Sequence, residues 1–426
     1  MPFALPPSAS GAGRPGPREI VALLAALMAL NAFAIDAMIP ALPAIGADLG
    51  VSNENRRQLV VVAYFFGFGV GQILWGPLAD RFGRRPILAV GVALYAAFAL
   101  LCGLAHTFTL LIVARVAMGA SAAVTRVLVT AMVRDLFEGE AMARVMSLVF
   151  MVFMLVPMLA PSVGQAILLV GPWQAIFIVL AAYGLFVLTW AMVRLPETLR
   201  PEYRRALNLG EIGRAARLAA TDRLSAGYTL ALTAVFGGLT AYIASIQQIV
   251  FDAFGSGELI GLVFAAIAAP MTVASWANSR VVGRFGLRRT GHSGLLAFVA
   301  ITLVHAVLAA SIDEPLWLFV VMMGLSFTAF AFTTANFGTL AMTNMAPVAG
   351  TASSVQGVVG TIGGALTGMT IGLQFDGTQL PFLYGTALCG LAALAILLWT
   401  ERGRLFAALV TPQMLRAEVS LRPPVE

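Results

Sequence analysis

The sequence predicts an all-α integral membrane protein with twelve transmembrane helices arranged as two parallel-repeat six-helix bundles. Three observations carry that prediction. The composition is too apolar for a water-facing surface, apolar stretches recur almost end to end, and an arginine-rich turn in the first half is echoed in the second. Of the 426 residues, 60% are hydrophobic and 11% charged, and mean hydropathy is +0.91. A soluble domain carries roughly 25% charged residues, so this chain could not cover itself in water.

Each predicted span is long enough to cross a hydrocarbon core about 30 Å thick. The spans fall near 20–44, 56–78, 87–106, 109–131, 145–168, 173–194, 226–251, 259–280, 292–311, 316–338, 348–373 and 380–399. The last two are the most diluted, by Gly, Thr and Gln. The first could be misread as a cleaved leader, with Arg14 and Arg18 before an apolar run and Ala32-Phe33-Ala34 as a cleavage site. That run continues to Pro43, beyond a signal core of about 7–15 residues, and is kept as span one. The predicted organisation is a tail over 1–18, a six-helix bundle over 19–194, a loop with an amphipathic helix over 195–225, a second bundle over 226–400, and a tail over 401–426. The basic amphipathic stretch from Glu211 to Leu218 suits a membrane surface with anionic headgroups.

Charge placement sets the expected orientation. The chain has no lysine; arginine is its only strong base. Arg81, Arg84 and Arg85 follow span two, Arg134 and Arg144 flank the turn after span four, and further clusters run over 194–223, 280–289 and the C-terminal tail. Alternate loops carry Asp252, Glu258, Asp313, Glu314 and Asp376 instead, with Arg56 and Arg57 as exceptions. By the positive-inside rule both termini and the central loop are cytoplasmic. The net charge of +6 then reflects topology, and arginines dispersed over short loops give no nucleic-acid surface. Without lysine there is no P-loop, so direct use of ATP is excluded. Cys102 and Cys389 lie in separate spans and His106, His292 and His305 are scattered, so neither a disulfide framework nor a metal site is expected. No nucleophile–base pair can be assembled within the spans, which disfavours an enzyme or receptor, and no cofactor is implied. A secondary transporter remains.

The turn itself reads Gly76-Pro77-Leu78-Ala79-Asp80-Arg81-Phe82-Gly83-Arg84-Arg85. Its core recurs as Arg284-Phe285-Gly286-Leu287-Arg288-Arg289, with Gly283 in place of Asp80. Asp80 can pair with the neighbouring arginines, and Gly76 and Gly83 permit close approach and a tight reversal. The cluster reads either as a latch broken in one conformation or as a positive-inside anchor. Its sequence resembles the signature loop of the major facilitator superfamily. Asp36-Ala37-Met38-Ile39-Pro40-Ala41-Leu42-Pro43, Arg134-Asp135-Leu136-Phe137 and Ala349-Gly350-Thr351-Ala352-Ser353-Ser354 are similar to the Bcr/CflA group of drug:proton antiporters. The resemblance runs from about Asn31 to Trp399. It implies a monomeric multi-pass protein of the bacterial inner membrane that exports small amphipathic drugs, such as phenicols, bicyclomycin or sulfonamides, against protons, and hence antibiotic resistance. A transporter of a natural metabolite on the same fold is the alternative.

Asp36 is the sharpest candidate. It lies about 12 Å from the outer end of span one at 1.5 Å per residue, where an ionised carboxylate costs several kcal/mol unless paired or wet. It is the candidate proton-coupling or cation-contact residue; a structural carboxylate is the bland alternative. On the continuous span expected here, Pro40 and Pro43 share its face. Arg115, about 9 Å below the outer surface in span four, is its expected partner. Arg115-Val116-Ala117-Met118-Gly119 with Ala123 resembles the superfamily's span-four motif, whose arginine is implicated in proton transfer; an arginine could only modulate an acid or bind substrate. Arg126, about 20° away on the same face, either lines the cavity or snorkels. Pro157, Pro161 and Gly164 resemble the antiporter bend of span five, with Gln165 where a second glycine often stands. Tyr242, Gln247, Gln248, Phe251 and Asn336 are further cavity candidates, each with hydrogen-bonded packing as the alternative.

Overall fold

The computed structural model describes residues 16–51, 53–137, 139–199, 209–345 and 348–406, and all regular structure among them is helical. The N-terminal tail to residue 15, the C-terminal tail from 407 and the loop over 200–208 lie outside the described residues. So do the side chains of Arg144 and Pro157.

The first span is broken. Helix α1 (Pro17–Asp36) ends at the candidate aspartate, a 3₁₀ turn spans Ile39–Ala41, and α2 (Leu42–Asp48) completes an apolar segment over Arg18–Asp48. Pro40 and Pro43 have no N–H to give a continuing α-helix, which accounts for the interruption. The single helical face expected for Asp36, Pro40 and Pro43 therefore does not exist.

Next come α3 (Leu59–Phe82), α4 (Arg84–Gly103), α5 (Phe108–Leu136), α6 (Gly139–Val170) and α7 (Gln174–Arg194). The short α8 (Leu209–Thr221) occupies the central loop, where its Ala219 buries against Met345 and Ala352. Helix α9 (Arg223–Gln248) continues through a π turn over Ile249–Ala253 and is followed by α10 (Ile260–Phe285), α11 (Leu287–Ser311), α12 (Leu316–Ala341), α13 (Ala349–Gly372) and α14 (Leu380–Thr400). Side chains set several starts. Thr107 accepts from the Leu110 amide at 3.2 Å to cap α5, and Asp222 accepts from the Ser225 amide at 2.8 Å to cap α9. Among the described residues ten segments are both long and apolar enough to cross a membrane. The remaining long helices are α6, of 32 residues, and α13, of 24. At 1.5 Å per residue α13 has the length to span, but Gly, Ser and Thr dilute it.

Two hydrophobic cores organise the bundle. One is built from residues between Ile20 and Leu195 together with Ala365, the other from residues between Tyr228 and Leu397 together with Ile39. Ile39, in the broken part of span one, thus reaches into the second core. Small residues let helices of the first core approach closely. A Cβ on Gly67 would strike the Val116 carbonyl, one on Gly71 the Ala120 carbonyl, and one on Gly119 the Tyr64 carbonyl, so α3 and α5 touch backbone to backbone. Gly83 and Gly286, with φ of +104° and +81°, make the matching reversals into α4 and α11.

Gly119→Val is expected to lower thermal stability in detergent by about 1–3 kcal/mol through overpacking. Gly338→Ala, where nothing lies within 4 Å of a new Cβ, serves as the control and leaves stability unchanged or raised.

Candidate functional site

Arg115 is the largest fully buried side chain among the described residues, at 0% exposure. Its Nε donates to the Val60 carbonyl at 3.0 Å and its Nη1 to the Ala34 carbonyl at 3.0 Å, with the Met118 sulfur 3.7 Å away. The Tyr64 ring lies 4.6 Å and the Phe177 ring 5.8 Å from the guanidinium carbon, within cation–π range. The charge is thus held by carbonyls and π faces of three neighbouring helices, α1, α3 and α7. The expected Asp36–Arg115 ion pair is not made. The physical reason is the end of α1: the last carbonyls of a helix have no internal partner, and that of Ala34 takes the guanidinium.

Asp36 is 3% exposed, and its carboxylate has no hydrogen-bond or ion-pair partner among the described residues. It lies within electrostatic range of Tyr64 and of Tyr242 across the junction between the cores. Tyr242 packs at a tilt against Phe264 and edge-to-face with Phe327, at 5.4 and 4.9 Å between centroids, while its hydroxyl is unpartnered. The Ser245 hydroxyl and both amide atoms of Gln247, on the same helix, are also buried without partners. Buried polar groups are ordinarily hydrogen-bonded, so each of these atoms calls for water or a ligand as its partner. Helix α6 closes on it from behind: a Cβ on Gly164 would strike the Ala37 carbonyl beside Asp36. Pro161 is buried nearby on α6, and Gln165 reaches the Gly257 and Glu258 carbonyls at 3.4 and 3.3 Å.

Beyond this cluster, toward the acidic ends of the helices, the halves are stitched together. Gln58 donates to Gln248 and, at 3.0 Å, to the Gly372 carbonyl. Gln248 donates to Asn55 at 2.9 Å, and Asn55 to the Leu373 and Phe375 carbonyls at 3.1 and 2.9 Å. Gln248 is therefore part of a seal. Phe251 lies half-buried against Gly257. Halfway along, Gln72 donates to Thr361 at 3.2 Å.

At the arginine-rich end the signature turn is tied within the first half. Arg84 pairs with Asp80 at 2.6 Å and with Asp135 at 3.3 Å. The amides of Arg84 and Arg85 donate to the Glu197 carboxylate at 2.9 and 3.2 Å, capping α4. Arg85 also donates to the Met192 carbonyl, while Arg81 lies over Phe82, its guanidinium carbon 5.1 Å from the ring centre. Gly76 faces Val127 of α5 at 3.7 Å from a would-be Cβ, and a Cβ on Gly83 would meet Glu197 at 2.6 Å. The second half repeats the plan: Glu401, just past the last helix as Glu197 is past α7, pairs with Arg288 at 3.2 Å and accepts from Tyr228.

Asn336 lies away from Asp36, between α10 and α12. Its amide donates to Asn278 at 2.8 Å and to the Phe332 carbonyl at 2.6 Å. The sequence reading passed over Asn31, which donates to Thr125 at 2.5 Å and accepts from Tyr64 at 3.1 Å; a lone Asn in an apolar run was the available signal. Glu197, Gln58 and Asn55 were likewise missed, because their partners are distant in sequence.

A broken first span, an unpaired carboxylate at the junction of two helical cores and a polar seal across one end define a solute-moving membrane protein. The model of the Major Facilitator Superfamily matches residues 24–368. A "Bicyclomycin resistance protein homolog" of Haemophilus influenzae is 30% identical over 367 residues, covering 86% of this chain and 92% of the relative. The "Multidrug resistance protein MdtL" of Escherichia coli is 35% identical over 173 residues, 41% of this chain and 44% of that protein. Among solved structures, the xylose transporter XylE from E. coli in a partially occluded inward open conformation superposes with a TM-score of 0.67 at 15% identity. That match covers 90% of this chain and 97% of XylE. The chain belongs to the major facilitator superfamily: it is a multi-pass membrane transporter, not an enzyme.

Glu197→Ala is expected to lower thermal stability by about 1–2 kcal/mol, the usual worth of a helix cap. Glu197→Gln, which keeps an acceptor, should recover part of it. Melting of the purified protein checks both.

Proposed function

We propose that the protein exports small amphipathic drugs, phenicols or related antibiotics among them, in exchange for protons by alternating access across the bacterial inner membrane. The observation that carries the reading is Asp36: a buried, unpartnered carboxylate at the break in span one, within electrostatic range of Tyr242 of the other half. An intramembrane acid of this kind is functional by default. The relatives' names, a bicyclomycin resistance homolog and a multidrug resistance protein, support drugs as the cargo. The arginine-rich ends are cytoplasmic by the positive-inside rule, with both termini on that side and the protein a monomer. The moving units are the bundles over 19–194 and 226–400, joined by the loop over 195–225.

In this reading Asp36 carries the proton, and Arg115 holds α1, α3, α5 and α7 in register around it. Tyr242 and Gln247 offer the substrate an aromatic face and free amide atoms. The Gln58–Gln248–Asn55 network is the outer gate, and the conformation described is sealed outside. The Asp80–Arg84–Asp135 cluster keeps the first bundle rigid while it rocks, and the bend at Pro157, Pro161 and Gly164 lets α6 follow α1. A transporter of a natural metabolite would use the same machinery and differ only in cargo.

Drug susceptibility in an efflux-deficient bacterium tests the reading, across phenicols, bicyclomycin and lipophilic dyes. The wild type should confer resistance, and Asp36→Asn at equal membrane abundance should return it to the vector level. Unchanged resistance in Asp36→Asn would move proton coupling elsewhere, and no resistance from the wild type would leave the metabolite reading. The gate has its own test. With Cys102→Ala and Cys389→Ala as background, oxidising the pair Gln58→Cys and Gln248→Cys should block transport, and a reductant should restore it. Full transport with the cross-link formed would remove these residues from the gate.

A further inference from the structure

Arg126 is the one interior charge left unassigned, and its setting is unusual. It lies on α5 ten residues before the helix ends at Leu136, about 15 Å by helical rise, farther than an arginine side chain extends. Its direction on the helix, rather than its depth, separates a snorkelling arginine from one that faces the bundle interior. The lipid-facing side of outer α5 is marked by Val113, 59% exposed. At about 100° per residue Arg126 points roughly 140° away from Val113, close to the direction of Arg115 between α1 and α3. Arg126 is exposed although it points into the bundle, so it faces an opening between the helices. Its guanidinium has no hydrogen bond and no ion pair among the described residues. Only its backbone carbonyl is engaged, by Thr130 at 3.0 Å.

The other deep charges offer it nothing. Arg115 is held by carbonyls, and Asp36 lies farther along, at the Tyr242 junction. The Asn31–Thr125 contact fixes the register: Asn31 is level with Thr125, so Asp36 lies about 8 Å farther toward the sealed end. An unpaired charge at this depth is costly and marks a substrate path. A guanidinium presents a rigid planar fork that matches two coplanar oxygens.

We propose that Arg126 is the specificity-determining residue of the transport path and receives a planar two-oxygen group of the substrate. A carboxylate is its best ligand, and nitro or sulfonyl groups are its neutral counterparts. The proposal rests on the transport reading above and narrows its cargo from amphipathic molecules in general to those with an acceptor head and an apolar body. Lipophilic cations gain nothing from Arg126 and are repelled by it.

A matched pair of probes tests this on the purified full-length protein: dansyl-phenylalanine, with a free carboxylate, and dansyl-phenylalaninamide, identical but neutral, both measured by calorimetry. The wild type should bind the acid at least about tenfold more tightly, the worth of one charge-assisted hydrogen bond. Arg126→Gln should abolish that preference by weakening the acid alone, and Arg126→Lys should keep part of it. Unchanged amide affinity in the variants shows that the site is intact. Equal binding of both probes by the wild type, no binding of either, a preference that survives Arg126→Gln, or equal loss of both probes overturns the proposal. None of these results touches the susceptibility test of Asp36, so the export reading stands or falls separately.

Discussion

A single buried guanidinium fixes the geometry of the first half. In a bilayer core every polar group must find its partner inside the protein, and Arg115 finds its partners on neighbouring helices: carbonyls on α1 and α3, rings on α3 and α7. The Ala34 carbonyl is open because α1 stops at Asp36; in an unbroken helix it would be committed to the amide four residues on. Breaking span one therefore does two things together. It supplies an acceptor for Arg115, and it leaves the Asp36 carboxylate without a counter-ion. An arginine neutralised by dipoles and π faces, rather than by the nearest acid, is what makes that acid available.

The two halves solve the same problem at their arginine-rich ends with different chemistry. Each reverses through a positive-φ glycine, Gly83 or Gly286, and each receives an acid from just beyond its last helix, Glu197 or Glu401. Where the first half adds Asp80 and Asp135, the second has Gly283 and brings in Tyr228, which also meets His292 at 3.0 Å. Charged hydrogen bonds to a helix N-terminus satisfy amides that have no internal partner. In the first half Glu197 satisfies two such amides of α4; in the second Glu401 instead pairs with the Arg288 side chain and accepts from the Tyr228 hydroxyl.

Architecture was legible in the sequence because it is written locally. Span length, arginine bias and the echoed turn each require only nearby residues, and they gave the fold class, the candidate Asp36 and the amphipathic α8. The failures have a common cause. The pairing of Asp36 with Arg115 was inferred from equal depth, but depth says nothing about the carbonyl that a helix break exposes. For Asn336 the sequence left cavity lining and hydrogen-bonded packing open, because the partner its amide donates to, Asn278, sits 58 residues earlier on another helix. Gln58 and Asn55 carry no signal of their own in the sequence, because their partners, Gln248, Gly372, Leu373 and Phe375, belong to the other half. Polar partners across a helical interface leave no trace in periodicity.

The placement of Asp36 also says how a proton could drive the proposed cycle. Among the described residues its carboxylate is buried without a hydrogen-bond or ion-pair partner, where a negative charge costs several kcal/mol. Shifting a two-state equilibrium from 1:99 to 99:1 takes about 5.5 kcal/mol, so the cost of one unpaired charge is of the size needed to move the whole population. An ionised Asp36 favours the arrangement in which the seal opens and water reaches it, whereas a proton lets the junction close. In the proposed cycle, proton uptake outside would return the transporter to the sealed state, and proton loss toward the interior opening would ready the next outward step. Substrate need not compete with the proton for one carboxylate. A head group held at Arg126 is separated from Asp36 by about five residues of helical rise, and the two ligands are coupled through the state of the junction they share.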